Sequence, residues 1–250
     1  MQFKEIAEYL GVSVRSVSRV LVENGINTKL KRRYTIQNEN YFEYIDTEFK
    51  AYILGFIYAD GFVGTHNDFC ISLADKCEDN LKILNTFKQE LGIDIDITHG
   101  YSNDGFGHYT FKFSNKKIVN DLNMCGVYTC KSLTMEDIPH NINPELMNHF
   151  IRGYFDGDGT ILTYFDNYDK RQRYILEILG TDKYLEKIQH ILCEECDIKK
   201  TKLKGNRVKG LFSIQQKGIK NLLKIRDYLY NNATYYLTYK HDRFYNIQPL

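Results

Sequence analysis

Apolar positions are densest over residues 51–59, AYILGFIYA, a helix-like run that carries Gly55 in its middle and ends on Asp60-Gly61. An acid is disfavoured there, because a helix C-terminus already carries partial negative charge, worth about 0.3–1 kcal/mol of repulsion. The same arrangement recurs at 151–159, IRGYFDGDG, which has glycine third, aspartate eighth and glycine ninth, like ILGFIYADG at 53–61. Asp60 and Asp158 stand 98 residues apart. The patterns that follow also match: 71–93 and 176–198 each read as a short strand, a polar turn and an amphipathic helix, and NKKIVNDL at 115–122 parallels QKGIKNLL at 216–223. A repeat of this length is a domain duplication, too long for a solenoid unit.

Each copy predicts helix, two strands, helix, two strands, helix. In the first copy these fall at 47–60, 62–65 with 68–74, 76–91, 94–101 with 107–114, and 115–124. In the second they fall at 144–158, 160–166 with 172–180, 181–195, 198–204 with 207–214, and 216–230, followed by a helix at 233–246. The expected fold is α+β: a duplicated αββαββα unit with two antiparallel sheets, its halves spanning 41–140 and 141–250.

Residues 1–40 form a separate domain with its linker. Ile6 and Leu10 lie on one face of a first helix, Gly11 supplies a bend, and Ser13 is a ready N-cap for a second helix with Val17, Val20 and Leu21 inward. Small Ala7 sits where the two would cross. This resembles the helix-turn-helix of bacterial DNA-binding proteins, whose recognition helix would here present Ser13, Arg15, Ser16 and Arg19 to the major groove. Lys31, Arg32 and Arg33 follow and suit phosphate contacts. Residues 27–46 read as a linker.

Composition, 43% hydrophobic and 26% charged, fits a soluble globular chain. No apolar stretch approaches the ~20 residues of a membrane span, so no membrane partner is expected. Six irregularly spaced cysteines read as reduced thiols, and a cytoplasmic location, bacterial or phage-encoded, is expected. Cys193 and Cys196 have half a zinc-site spacing but no partner pair. The net charge of +1 hides an asymmetry: seven Lys/Arg against four Asp/Glu over 1–40, nine against twenty over 41–169, and seventeen against eight over 170–250. Basic ends point to a polyanion.

Ala51, Gly55 and Ala59 recur every fourth residue, as do Gly153 and Gly157. Such small-residue stripes let two helices approach closely. Parallel packing through Gly55, Ala59, Gly153 and Gly157 would bring Asp60 and Asp158 together. Two close carboxylates repel unless a divalent cation lies between them, and a hard oxygen site suits Mg²⁺, or another divalent ion such as Mn²⁺. Gly61 and Gly159 suit the left-handed residue that ends many helices.

The paired motifs resemble the two signatures of the LAGLIDADG homing endonuclease family, and the resemblance covers residues 47–248. It implies a pseudo-symmetric monomer whose motif helices form the seam, with a curved sheet from each half in the major groove of a long, asymmetric duplex target. In that family the eighth-position acids, here Asp60 and Asp158, hold the catalytic divalent ions. The sixth position is often acidic too; Tyr58 and Asp156 occupy it here, a departure expected to affect packing more than metal binding. Similar enzymes place a basic residue near each half-site, and Lys131 and Lys240 hold comparable places. Each half would then cut one DNA strand, leaving short 3′ overhangs.

Base reading would fall to the strands. The second half offers Arg171, Arg173, Lys200, Lys202, Lys204, Arg207 and Lys209, with KKTKLKGNRVK over 199–209 expected as a basic hairpin turning at Gly205-Asn206. The first half offers Asn103, His108, Tyr109 and Lys112. Two other functions use the same residues: a catalytically silent DNA-binding regulator, and an RNA maturase that assists splicing of a host intron RNA. Retention of both aspartates argues against the regulator, and the DNA-type helix-turn-helix favours DNA over RNA.

Overall fold

The computed structural model describes residues 3–26 and 34–247, with the backbone alone for Ser132 and Leu133. Lys31, Arg32 and Arg33 lie outside the described residues. The chain divides into two compact units, Met1–Thr35 and Ile36–Leu250.

In the first unit α1 (Phe3–Leu10) and α2 (Val14–Glu23) are joined through Gly11, whose φ of +64° is the left-handed region that glycine enters without strain. The Ser13 side chain accepts the backbone N–H of Ser16 at 3.1 Å and caps α2. Among the described residues this unit buries only Ala7 and Val17, while Leu10 and Val20, expected inward, are exposed. Two short helices share too little surface to cover more than their crossing point. Arg15 and Arg19 are exposed on α2, and Ser13 and Ser16 bond each other through their hydroxyls at 2.9 Å.

The second unit begins earlier than a linker over 27–46 would allow. Ile36 bridges Ile93, Ile45 bridges Ile142, and Tyr41 and Phe42 are buried. Apolar side chains at these four positions tie the segment to the larger unit.

The two halves repeat one plan. The first runs α3 (Glu48–Asp60), β1 (Gly61–Val63), β2 (Asp68–Ala74), α4 (Glu78–Leu91), β3 (Thr98–Tyr101), β4 (Gly107–Ser114) and α5 (Lys116–Met124), with the short α6 (Lys131–Thr134) after it. A 3-10 turn at Pro144–Leu146 leads into the second: α7 (Met147–Asp158), β5 (Gly159–Asp166), β6 (Arg171–Gly180), α8 (Asp182–Cys196), β7 (Lys204–Gly205), β8 (Phe212–Lys217), α9 (Ile219–Tyr230) and α10 (Thr238–Tyr245). The antiparallel sheets have matching orders, β1-β2-β4-β3 and β5-β6-β8-β7. One face of each is apolar and buried: Phe69, Ile71, Phe111 and Phe113 in the first, Ile161, Leu176, Ile178 and Ile214 in the second. Phe87 of α4 packs on Phe69 and Phe111, with ring centroids 5.8 and 5.7 Å apart. Among the described residues no helix is long and apolar enough to cross a membrane.

The basic hairpin differs from expectation. Strand β7 is only Lys204–Gly205, and the turn lies between Asn206 and Leu211. Lys200 and Lys202 precede the strand, so no Lys200–Lys202–Lys204 strand face forms. Buried glutamines hold this segment instead of a ladder: Gln216 donates to the Lys199 carbonyl at 3.0 Å, and Gln189 to the Thr201 hydroxyl at 2.9 Å.

Helices α3 and α7 pack in parallel at the seam of the halves through their small residues. A Cβ on Gly55 would collide with the Phe150 carbonyl and lie 2.8 Å from the Tyr154 nitrogen; one on Gly153 would collide with the Tyr52 carbonyl; one on Gly157 would meet Ala59. At Gly55 and Gly153 backbone meets backbone, and no side chain can move aside to make room. Gly55→Ala is therefore expected to lower stability by about 1–3 kcal/mol, the usual range for overpacking, read as a fall in the thermal midpoint of the larger unit.

Candidate active site

Parallel packing brings the C-termini of α3 and α7 together, and each ends on its motif aspartate. The Asp60 Oδ2 lies 3.0 Å from the point a Gly157 Cβ would occupy, so glycine leaves room for the carboxylate at the seam. Both aspartates reach solvent. Burial on their protein side, then the charge of Asp158, push Asp60 up to about 6, against the pull of Lys131 and Lys240. Burial likewise raises Asp158, opposed by the same two lysines and by the Tyr154 hydroxyl. Because water reaches the carboxylates, screening makes their repulsion weaker than full burial would.

Neither helix has a basic residue in its last turn. Two lysines from elsewhere supply that charge. Lys131, the first residue of α6, donates to the Ala59 carbonyl at 2.7 Å. Lys240 of α10 donates to the carbonyls of Phe155 (2.8 Å), Asp156 (2.5 Å), Gly157 (3.1 Å) and Gly159 (2.8 Å). Orphan carbonyls at a helix end are thus satisfied by ammonium groups, which also offset the acids placed against the dipole. Burial pushes Lys240 down to about 8, against three aspartates, so at pH 7 it remains a cation. Lys131 is lowered by burial and held up by Asp158 and Asp60. The four residues named from the sequence therefore meet at one place, although the lysines bond helix ends rather than the carboxylates.

The glycines after each aspartate are not left-handed: Gly61 and Gly159 have φ of −76° and −93°. The chain passes straight from helix to strand there. Glycine is needed because a Cβ on Gly61 would lie 2.6 Å from the Ile57 side chain, and one on Gly159 would strike the Phe155 ring.

Two buried polar groups support the seam and escape a reading for metal ligands. The Asp156 carboxylate, fully enclosed, accepts from Tyr52 Oη (2.8 Å), Tyr230 Oη (2.9 Å) and the Leu237 N–H (2.9 Å). It joins α3, α9 and the approach to α10, the helix that carries Lys240. One turn earlier on α7 the Arg152 guanidinium, also fully buried, donates to Glu48 (2.8 Å), the Leu229 and Tyr235 carbonyls (2.9 and 2.8 Å) and His149 Nδ1 (2.6 Å). Burial and the guanidinium push His149 down to about 4, so its neutral ring accepts. The detectable signal was a charged side chain inside an apolar run, in both cases. Tyr154, one turn before Asp158, shares its hydroxyl between the Leu179 carbonyl (2.7 Å) and Asp158, whereas Phe56 holds the equivalent place before Asp60.

An all-oxygen carboxylate pair suits a hard divalent cation rather than zinc. Among the described residues no group of three or more His, Cys, Asp or Glu is placed so that it could hold a metal ion. An ion held by Asp60 and Asp158 would keep positions open for water and for a substrate oxygen, as magnesium sites commonly do.

The sheet faces turned away from the helices run outward from these aspartates. Lys112, Arg171, Arg173 and Lys204 lie on them by strand register. Arg173 is paired with Asp169, and more loosely with Asp166 at 3.5 Å. Arg207 and Lys209 are exposed in the loop between β7 and β8. His108 faces outward, but Tyr109 shares the inner face with Leu73, its register partner.

No protein-family model matches the sequence, and no curated protein matches it in sequence. Solved structures match its fold. The I-LtrWI LAGLIDADG homing endonuclease bound to target DNA aligns at TM-score 0.52 and 11% identity over 78% of this chain and 87% of that one. The LAGLIDADG homing endonuclease I-GzeII in complex with its DNA target aligns at TM-score 0.53 and 13% identity, over 80% and 88%. Meganuclease I-SmaMI bound to uncleaveable DNA gives 0.53 and 10% identity, over 80% and 89%. The chain has the LAGLIDADG fold.

Proposed function

We propose that this chain is a site-specific DNA endonuclease of the homing type, which hydrolyses both strands of a long, asymmetric duplex with divalent ions and leaves short 3′ overhangs. The observation that carries the proposal is the convergence of Asp60 and Asp158 at the paired ends of α3 and α7, capped by Lys131 and Lys240, in a fold whose matched structures hold DNA.

Asp60 and Asp158 would hold Mg²⁺ or Mn²⁺, which lowers the pKa of a bound water and neutralises charge on the scissile phosphate. Their carboxylates lie at the paired helix ends, where Asp60 reaches across the seam toward Gly157. Lys131 and Lys240 fix the last turns of both helices, so the carboxylates are set before substrate arrives, and their positive charge favours a phosphate at the same place. The outward sheet faces track the major groove on either side. Exposed Arg15 and Arg19 of the N-terminal unit, with Lys31, Arg32 and Arg33, extend the footprint by phosphate and groove contacts. Monomeric action follows from having both halves in one chain.

Selection of a bound duplex from a randomised library, followed by incubation with Mg²⁺, tests this reading. Scission at one position, absent in EDTA, is the expected result; specific binding without scission would favour the silent regulator. The ion should also stabilise the fold. At ten times its Kd, Mg²⁺ adds about 1.4 kcal/mol, raising the thermal midpoint by about 3–6 °C, and Asp60→Asn should abolish the shift in a melting measurement.

A further inference from the structure

The two halves place opposite chemistry in equivalent rows of their outward faces. Two residues beyond Asp60, the row across β1, β2 and β4 is Phe62–Cys70–Lys112. Two residues beyond Asp158, the row across β5, β6 and β8 is Thr160–Glu177–Gln215. Lys112 makes no ion pair among the described residues and offers only donors. Glu177, half-buried, has no cation partner among the described residues either. It accepts instead from Gln215 Nε2 at 2.7 Å.

On the reading that this face meets DNA, a carboxylate here is repelled by every phosphate it approaches, and nothing in the fold requires it. The neighbouring row, Leu162–Ile175–Lys217, carries no acid. With one Gln215 N–H committed to Glu177, the pair is left with Glu177 Oε2 and Gln215 Oε1 as acceptors against a single remaining N–H, a balance dominated by acceptors. The major-groove groups that donate to acceptors are the exocyclic amines of cytosine and adenine. Guanine presents N7 and O6, and thymine presents O4, all acceptors.

We infer that Glu177, steadied by Gln215, is a specificity-determining residue that selects a cytosine or adenine amino group close to the cut in the second half-site and rejects guanine there. Lys112, in the matching row of the first half at the place Gln215 takes in the second, suits guanine O6 and N7. The seam is thus flanked by readers of opposite preference, and the target is asymmetric for a reason visible in two side chains.

The test is selection from a randomised duplex library by the full chain, by Glu177→Gln, by Glu177→Lys and by Lys112→Gln. The wild-type chain should favour cytosine or adenine over guanine at one base pair by about 5- to 150-fold, the range for one good base contact. Glu177→Gln, whose amide keeps an accepting oxygen and gains a donor that suits adenine N6 and N7, should shift the preference from cytosine toward adenine, and Glu177→Lys should turn it toward guanine, with preferences at other positions unchanged. Lys112→Gln should alter a different base pair, across the cut. All three variants replace groups on a solvent-facing sheet, so folding is checked by an unchanged melting curve. If the wild-type chain selects a site but accepts guanine throughout, or Glu177→Gln changes affinity evenly for all sequences, the inference fails while the endonuclease reading stands. A chain that selects no sequence overturns both.

Discussion

Asp60→Asn is expected to lower cleavage of a selected duplex by at least about 10²–10³-fold while leaving binding to that duplex nearly unchanged. Asparagine keeps the size and shape of the side chain at the Gly157 contact, so the seam is not disturbed. What it removes is the negative charge that makes two converging carboxylates a cation site. A second readout separates this from general damage. In the folded chain Asp60 is raised to about 6, from an ordinary value of 3.8. Between those values the native state holds a proton that the unfolded chain releases, so stability falls as pH rises through the window and stays lowered above it. Without metal, Asp60→Asn should therefore melt higher than wild type at pH 8, and the difference should close toward pH 4. Structural damage predicts the reverse sign at pH 8.

Asp156→Ala should unfold the larger unit most readily of the substitutions considered. The carboxylate is completely enclosed and receives three hydrogen bonds, from Tyr52, Tyr230 and the Leu237 N–H. Its removal strands all three donors and leaves the Lys240 ammonium without its nearest buried counter-charge. Breaking a buried charge network of this kind costs about 3–5 kcal/mol, or about 6–20 °C in thermal midpoint. Because Leu237 introduces the helix that carries Lys240, cleavage should also fall more steeply than folded fraction. That excess loss would be measured by cleavage assays below the transition, normalised to folded protein.

Much of this was legible in the sequence because it is periodic or duplicated. Small residues at every fourth position specify the helix pairing, and the repeat places Asp60 and Asp158 in equivalent registers. Element boundaries followed wherever apolar alternation was strong, as in β2, β4 and β6. The basic run over 199–209 suggests a strand face that the structure lacks, since alternating lysines carry the period of a strand whether or not a ladder forms. Buried Gln189 and Gln216 hold that segment, and a buried amide leaves no periodic trace. Arg152 and Asp156 were visible as residues, but their partners come from residues 48 to 237, beyond any local pattern. The lysines were found as cations near the site, while their bonds to helix carbonyls needed coordinates. The left-handed glycines were expected from a general helix-ending rule; a helix that passes straight into a strand has no need of one.

On the proposed function Asp60 and Asp158 act as one shared site across the seam rather than as two separate ones. Strand-resolved cleavage of the selected duplex, end-labelled on each strand in turn and run on a denaturing gel with Mg²⁺, measures this for wild type, Asp60→Asn and Asp158→Asn. A shared site predicts that either substitution leaves both strands uncut. A variant that still cuts one strand at the wild-type rate would contradict it.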